Sequence, residues 1–334
     1  MFFRNKKILI IGGTGTVGES LLQKILLDDP TVVRILSRDE YKQYMLQNSF
    51  SSRKDIRYLI GDVRDYDRVL TAMEDIDYVF HVAALKHVPA CEYNPYEAVL
   101  TNIVGTNNVI KAAMAQNVKK VTFTSSDKAI SPTNTYGATK LTAERMIVAS
   151  GQNKGNSKTI FSIVRFGNVI GSRGSVIPLF INQILNDRKI TVTNPAMSRF
   201  MMTVNQATEL TIKAMRESKG GEIIVLKMPV ILLQDLIKVI TEETCFKHKI
   251  NIKEIKIQEI GMRPGEKMFE ELMTYDESLI AWELPDMFII PASVENEFRY
   301  PNAKKAKEGT YSSTDQPVLS IDEVRKLVLD QDLI

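Results

Sequence analysis

Histidine and cysteine are scarce here, three and two among 334 residues. Cys91 and Cys245 form no CxxC pair, and so few histidines give no zinc spacing. A metal ribbon or a disulfide framework is excluded, no metal is expected, and both thiols are read as ordinary ones in a reducing compartment. Long apolar runs are missing too. The stretch IIVLKMPVILL is broken by Lys227 and Pro229, far short of the ~18 residues of a membrane span. Arg4, Lys6 and Lys7 before ILII imitate a secretion signal, but the run stops at Gly12, without the longer apolar region and small-residue cleavage site of such a signal. The expectation is a cytoplasmic protein with no membrane partner. Charge of one sign is also lacking: 43 basic against 40 acidic residues leave +3. With no basic tract, nucleic acid is not an expected partner. Internal repeats and low-complexity segments are absent.

What is present is a globular composition, 44% hydrophobic and 25% charged, and a rhythm. KILII (7–11), VVRIL (32–36), IRYLI (56–60), DYVFHV (77–82), KVTFT (120–124) and FSIVRF (161–166) read as strands. Amphipathic stretches such as ESLLQKILL, AVLTNIVGTNNVIKAAMA and TYGATKLTAERMIVA lie between them. This alternation predicts an α/β fold with a doubly wound parallel Rossmann sheet, ligands sitting above the carboxyl ends of its strands. After about Gly171 the rhythm fades, and a smaller C-terminal substrate-binding domain is expected. The predicted division gives 1–170 with about 200–228 to the dinucleotide domain, and 171–199 with 229–334 to the smaller one. SGQNKGNSK (150–158) reads as a surface loop, and Ser320 with Glu323 as a capping box opening a terminal docking helix.

Gly12, Gly15 and Gly18 in GGTGTVG follow the first strand and open a helix. Without side chains the backbone can turn tightly and approach a pyrophosphate, to which the first helical amides point. A tight strand–helix turn would use the same residues, but the flanking strand and helix favour a dinucleotide. At the end of the second strand an acid would accept the ribose hydroxyls of NAD. Here Ser37 and Arg38 stand in LSRDE, and a guanidinium suits a 2′-phosphate. NADP is therefore the expected cofactor and NAD the alternative, since Asp39 or Glu40 could still serve NAD. Asp62 and Val63 are placed to meet the adenine, and Ala83 and Ala84 are small enough to let the cofactor pass. His81 reads as a satisfied core residue.

Tyr136 and Lys140 in YGATK share one helix face. For a phenol to act as a base near neutrality its pKa must fall by about three from ~10, at about 4 kcal/mol. A cation ~5 Å away at an effective dielectric of ~20 supplies about 3 kcal/mol, a role expected of Lys140.

The chain resembles the extended short-chain dehydrogenase/reductases. Within them, IGDVRD, AALKHVPACEYNP, SSDKAISPTNTYGATK, RFGNVIGSRGSVIPLF, MSRF and RPGEK resemble the nucleotide-sugar 4,6-dehydratases acting on UDP-N-acetylglucosamine, from residue 7 to about 290. Ile11 and Ser126 depart from the threonines usual in that family. The resemblance implies dinucleotide contacts also from Thr14, Thr16, Val17, Lys86 and Asn102, and a homo-oligomer, dimeric or larger. It marks Asp127–Lys128 as the feature separating dehydratases from sugar epimerases, which generally carry small apolar residues there. In the implied reaction Tyr136, with Ser126 assisting, takes the 4-hydroxyl proton. Lys128 takes the carbon-5 proton, and Asp127 protonates the departing 6-hydroxyl. That requires an uncharged lysine beside a protonated aspartate. For a UDP-sugar, Arg199 and Arg263 offer guanidinium forks to the diphosphate region, Asn168 a diphosphate contact, Lys86 a sugar contact and the RGSVIP backbone at Val176 a uracil contact. Glu266, by resemblance, meets the ribose. The expected product is a UDP-4-keto-6-deoxy sugar, carbon 5 inverted because Tyr136 matches the inverting subgroup, or a 5,6-alkene if hydride does not return to carbon 6. A UDP-sugar 4-epimerase and a non-catalytic dinucleotide sensor on this fold are the alternatives.

Overall fold

Alternate residues of β1 (Lys7–Ile11) enter different cores: Leu9 and Ile11 join one buried cluster, Ile8 and Ile10 another. A strand apolar on both faces has to lie inside a covered sheet, and each fully buried aliphatic side chain contributes roughly 1.5–3 kcal/mol. A computed structural model of the chain describes residues 1–152, 155–172, 174–292, 300–331 and 333–334. Its next strands are β2 (Val32–Ser37), β3 (Ile56–Ile60), β4 (Tyr78–His81), β5 (Lys120–Thr124) and β6 (Ile160–Arg165). All six apolar runs are strands, paired in parallel in the order 3-2-1-4-5-6. The order reverses between β1 and β4, so a crevice opens above their carboxyl ends. The helix Thr16–Leu26 covers β1 with the stripe Gly18, Leu21, Leu22, Ile25 and Leu26.

Ile223–Leu226 extends the sheet in parallel beyond β6, and Met287–Ile290 then adds antiparallel, followed by Trp282–Glu283 and Lys304–Lys305. The expected assignment of all of 229–334 to the smaller domain is thereby corrected. Ile290 and Phe288 register against Ile223 and Val225 and share their core, because an apolar strand at the sheet's margin needs a partner for its backbone groups.

The remaining C-terminal elements form a second layer above the strand ends. Its three-stranded sheet joins Asn168–Val169, Ser198–Met202 and Val230–Leu232. Helices Val176–Asp187 and Leu233–His248 close a separate core around Phe180, Ile184, Leu236 and Ile240. The terminal helix Ile321–Leu329 opens on the expected Ser320–Glu323 capping box and docks Val324 and Val328 into that core. Of the SGQNKGNSK stretch, 150–152 end the helix Thr135–Gln152 rather than lying in a loop, and 153 and 154 lie outside the described residues. Cys91 and Cys245 are free and buried. Among the described residues no cluster of side chains is arranged to hold a metal, and no helix is long and apolar enough to cross a membrane.

Candidate active site

The crevice is a cavity of about 830 Å³ bounded by the glycine loop, the ends of β2 and β4, and Tyr136 and Lys140 of the Thr135–Gln152 helix. A second cavity of about 620 Å³ lies beside it, under the 263–267 loop. Asp127, Lys128, Asn168, Arg199 and Glu266 line both.

The glycine loop fits a dinucleotide. Gly12 has φ +88°, and a Cβ there would stand 2.7 Å from the Ala83 amide nitrogen; one at Gly18 would stand 2.6 Å from the Gly12 carbonyl oxygen. Gly15 caps the Thr16–Leu26 helix without a side chain over its amides, and Thr14, Thr16 and Val17 line the crevice with it. Gly12→Ala meets a strained dihedral and a clash together, each of order 1–3 kcal/mol. We expect at least a tenfold loss of dinucleotide affinity by calorimetry and a lower melting temperature; unchanged values for both would remove the cradle from the argument.

Ser37 shares a 2.8 Å hydrogen bond with Thr14, and the half-exposed Arg38 stands 3.8 Å from Asp62. The Asp62 carboxylate is also held by Arg64 at 2.8 Å; burial alone would raise its pKa, but the two guanidiniums keep it below the ordinary range. Val63, Ala83, Ala84 and Lys86 line the cavity. Asn102 does not. It is buried, accepts from the Leu85 amide at 2.8 Å, and donates to the Leu85 carbonyl and to Thr139, each at 2.9 Å. It ties the loop after β4 to the Thr135–Gln152 helix. His81 is fully buried against Thr106 and, pushed down to about 3 by that burial, is neutral.

The end of β5 carries three of the expected site residues. Ser126 starts a short 3-10 turn, Asp127–Ala129, which aims Asp127 and Lys128 into the shared wall. Asp127 is buried; it accepts from Ser126 at 2.7 Å and from Lys128 at 2.8 Å. Burial would raise its pKa, but the Lys128 ammonium and these hydrogen bonds hold it below the usual carboxylate range. Lys128 goes the other way: burial opposes its charge, while Asp127 and then Glu270 raise its pKa. At rest the pair is an ion pair, not the neutral pair that elimination requires. The two forms hold the same single proton and differ only in which partner has it.

Tyr136 is pushed up to about 12, chiefly by burial, and the cation opposing that rise is Lys128. Lys140, expected to face the phenol, is held at the end of β5 in the free chain. Its ammonium donates to the Thr124 carbonyl at 2.6 Å and lies 4.1 Å from the Phe123 ring centre, and burial brings it down to about 7. The folded value lies below the unfolded one. Between pH 7 and 10.5 the unfolded chain therefore binds more protons and stability rises with pH; below pH 7 the full burial penalty applies. Lys140→Met should stabilise the free chain by a few kcal/mol at or below pH 7, the gain fading towards pH 10.5. Thermal melts across that range check it, and a gain that grew with pH would contradict it.

The substrate side differs most from expectation. Both amide hydrogens of Asn168 are committed, to the Phe200 carbonyl at 3.1 Å and to Glu270 at 2.8 Å. Arg199 donates to the carbonyls of Ser198 (2.8 Å), Lys267 (2.9 Å) and Met268 (3.2 Å), meets the Met197 sulfur at 2.9 Å, and turns Nε to Glu270 at 3.4 Å. A guanidinium has five N–H donors; the four on the two terminal nitrogens are engaged within the protein, and Nε faces the Glu270 carboxylate as an ion pair. Asn168 and Arg199 line both cavities and, in the free chain, hold the 267–270 segment. Their shared partner, Glu270, escaped the sequence reading; nothing in FEEL distinguishes a buried glutamate from a solvated one. It is buried, accepts from the Phe200 amide at 3.0 Å and stands 3.9 Å from Lys128. Burial, then Asp127, raise it to about 7. Arg263 is exposed on the second cavity with no side-chain hydrogen bond among the described residues, and Lys86 is exposed on the first. Glu266 accepts from the Arg263 amide at 3.3 Å and lines both cavities, while Val176 lines the first. Gly265, with φ +80°, offers its carbonyl to Thr133 at 2.8 Å and to Asn134 at 3.1 Å. Asn134 in turn accepts from the Gly137 amide at 2.9 Å in the first turn of the catalytic helix, so the arginine loop rests on that helix.

Residues 8–292 match the family described as polysaccharide biosynthesis protein. The X-ray structure of Pen from Bacillus thuringiensis superposes with a TM-score of 0.95 at 62% identity over 100% of both chains. An uncharacterized membrane protein of Methanocaldococcus jannaschii is 44% identical over 98% of this chain and 96% of its own. An inverting UDP-N-acetylglucosamine 4,6-dehydratase of Campylobacter jejuni is 39% identical over 94% of each. A UDP-glucose 4-epimerase of Rickettsia bellii is 38% identical over 99% of this chain and 98% of its own.

Proposed function

We propose that this chain, which belongs to the polysaccharide biosynthesis protein family of extended short-chain dehydrogenase/reductases, is a UDP-N-acetylglucosamine 4,6-dehydratase using NADP. The observation carrying this reading is Asp127 and Lys128, hydrogen-bonded to each other in the wall common to both cavities. An acid and a base that touch both the hydride site and the sugar site are what elimination needs and what epimerisation can do without.

The nicotinamide dinucleotide, when bound, supplies removal of hydride from carbon 4 and its return to carbon 6. Tyr136 takes the 4-hydroxyl proton, helped by Ser126. The ketone so formed acidifies carbon 5, and Lys128 removes its proton as Asp127 protonates the 6-hydroxyl and water departs. The resting ion pair reaches this state by moving one proton from Lys128 to Asp127. Among the described residues, Arg263 and Lys86 are cations with no side-chain hydrogen bond that can meet a diphosphate, with Glu266 toward the ribose and Val176 toward the uracil. NADP is favoured over NAD because Arg38 and Lys42 line the crevice beyond the end of β2, while Asp39 caps the Glu40–Ser49 helix and pairs with Lys42. Tyr136 matches the inverting subgroup, as does the name of the Campylobacter jejuni relative. A homo-oligomer in the cytoplasm completes the reading.

The test is incubation with UDP-N-acetylglucosamine in deuterated water. Loss of one water by mass and deuterium at carbon 5 by NMR are expected, with ring couplings reporting inversion. An isomer of unchanged mass would select the epimerase reading, which the Rickettsia bellii relative favours.

A further inference from the structure

Asn134 starts the helix Thr135–Gln152 and faces two ways. Its Oδ1 accepts the Gly137 amide at 2.9 Å, capping the first turn. Its Nδ2 donates to the Gly265 carbonyl at 3.1 Å. Both atoms sit on one planar carbon, so the arginine loop and the first turn of the helix shift together. The seat is close on both sides. A Cβ at Gly265 would stand 2.9 Å from that of Asn134. Thr133 donates to the same Gly265 carbonyl at 2.8 Å, and Lys267 Nζ donates to the Ile130 carbonyl at 2.9 Å. The 263–267 loop is thereby fastened along 130–134. On the helix side, a Cβ at Gly137 would collide with the Lys128 carbonyl oxygen. The first turn therefore presses on the turn that carries Asp127 and Lys128, and Tyr136 stands within it.

We infer that Asn134 is a positioning residue that ties capture of the UDP diphosphate at Arg263 to the placement of Tyr136 and Lys128. This rests on the nucleotide-sugar reading above, with Arg263 as a diphosphate cation. It adds what the nucleotide does for a reaction in which it takes no chemical part. Arg263 opens the loop whose Gly265 and Lys267 grip the 130–134 segment, and Arg263, Gly265, Lys267 and Asn134 line the same cavity. The bonds of the seat are exposed or half-buried, and bonds of that kind open locally at small cost. A ligand that binds the seated loop better than the open one closes the seat. Binding energy from a part of the substrate remote from carbons 4 to 6 then orients the groups that act on those carbons, so it raises turnover rather than only tightening binding.

UDP itself, added to the dinucleotide-loaded enzyme where no reaction runs, is the probe. At saturating UDP, hydrogen exchange over residues 130–140, read by mass spectrometry, should slow by about fivefold or more, the lower end of ordinary coupling between sites. Asn134→Asp keeps an oxygen for the cap, since Asn and Asp cap about equally, but sets a carboxylate where the donor to Gly265 was. Glu92 still holds the neighbouring Thr135 amide at 2.6 Å. This variant should therefore melt like the unaltered chain and bind UDP by calorimetry, yet lose the protection. Thr133→Val, which leaves the cap untouched, should lose part of it. With saturating UDP-N-acetylglucosamine, Asn134→Asp should lower kcat by about tenfold or more and change KM less. A residue that only capped the helix would leave kcat and protection intact in Asn134→Asp. That result, or UDP bound to the unaltered chain without protection, would overturn the coupling. A product isomeric with the substrate would overturn the dehydratase reading alone, because protection is read with UDP and no turnover. Failure of UDP to bind at all would overturn both.

Discussion

Asp127→Asn is expected to abolish water loss while substrate-dependent reduction of the nicotinamide persists. Asparagine keeps the shape and can still accept from Ser126 and Lys128, but it has no proton to give the departing hydroxyl. A positioned general acid contributes about 10²–10⁴ in rate, so elimination should fall by at least that factor. Absorbance of the reduced nicotinamide and product mass follow the two steps separately. Lys128→Met should block elimination too, with a difference: it leaves Asp127 and Glu270 buried without the ammonium between them, so its melting temperature should fall where that of Asp127→Asn does not. Undiminished water loss in either variant would remove the pair from the chemistry.

Arg165→Met is expected to destabilise the fold by about 3–5 kcal/mol. Arg165, fully buried at the end of β6, grips Glu144 at 3.1 and 2.7 Å, Glu277 at 2.9 and 3.1 Å, and the Leu272 carbonyl at 2.9 Å. Glu144 lies one turn beyond Lys140 on the catalytic helix, and Glu277 lies in the segment entering the antiparallel strands, so one guanidinium ties both to the sheet. Without it two carboxylates stay buried and unpaired. Burial would raise the pKa of Glu277, and Arg165 is what lowers it. In the variant the Glu277 carboxyl, no longer held down by Arg165, rises, so its share of the loss is full at neutral pH and shrinks as pH falls through the carboxylate range. Urea midpoints at pH 7 and pH 5 measure this; a loss under about 1 kcal/mol, the range of exposed ion pairs, would mean the triad is not the tie described.

Six strands, the glycine cradle and the Asp127–Lys128 turn were legible in the sequence because each is a local pattern. A β-branched run, a glycine before a helix, or two adjacent side chains after a strand carries its meaning within a few residues. The same locality let Tyr136 and Lys140 be paired by helix spacing, yet it misjudged their electrostatics. Burial of the phenol and the charge of Lys128, which opposes the resulting rise, come from the end of β5 and not from helix spacing.

Commitments made across the chain were not legible. Arg199 and Asn168 have the side chains of diphosphate ligands, but in the free chain they hold Glu270 and the 267–268 carbonyls, some 70 to 100 residues away. Glu270 became a buried carboxylate, and residues 287–290 a strand of the central sheet, for the same reason. By itself the sequence determined the sheet, the cradle and the chemical type of the reacting groups, since these follow from short-range periodicity and side-chain chemistry. Tertiary structure alone decided which donors are spent, which charges are buried and which proton sits where, because burial and hydrogen-bond satisfaction are set by partners that the order of residues does not bring together.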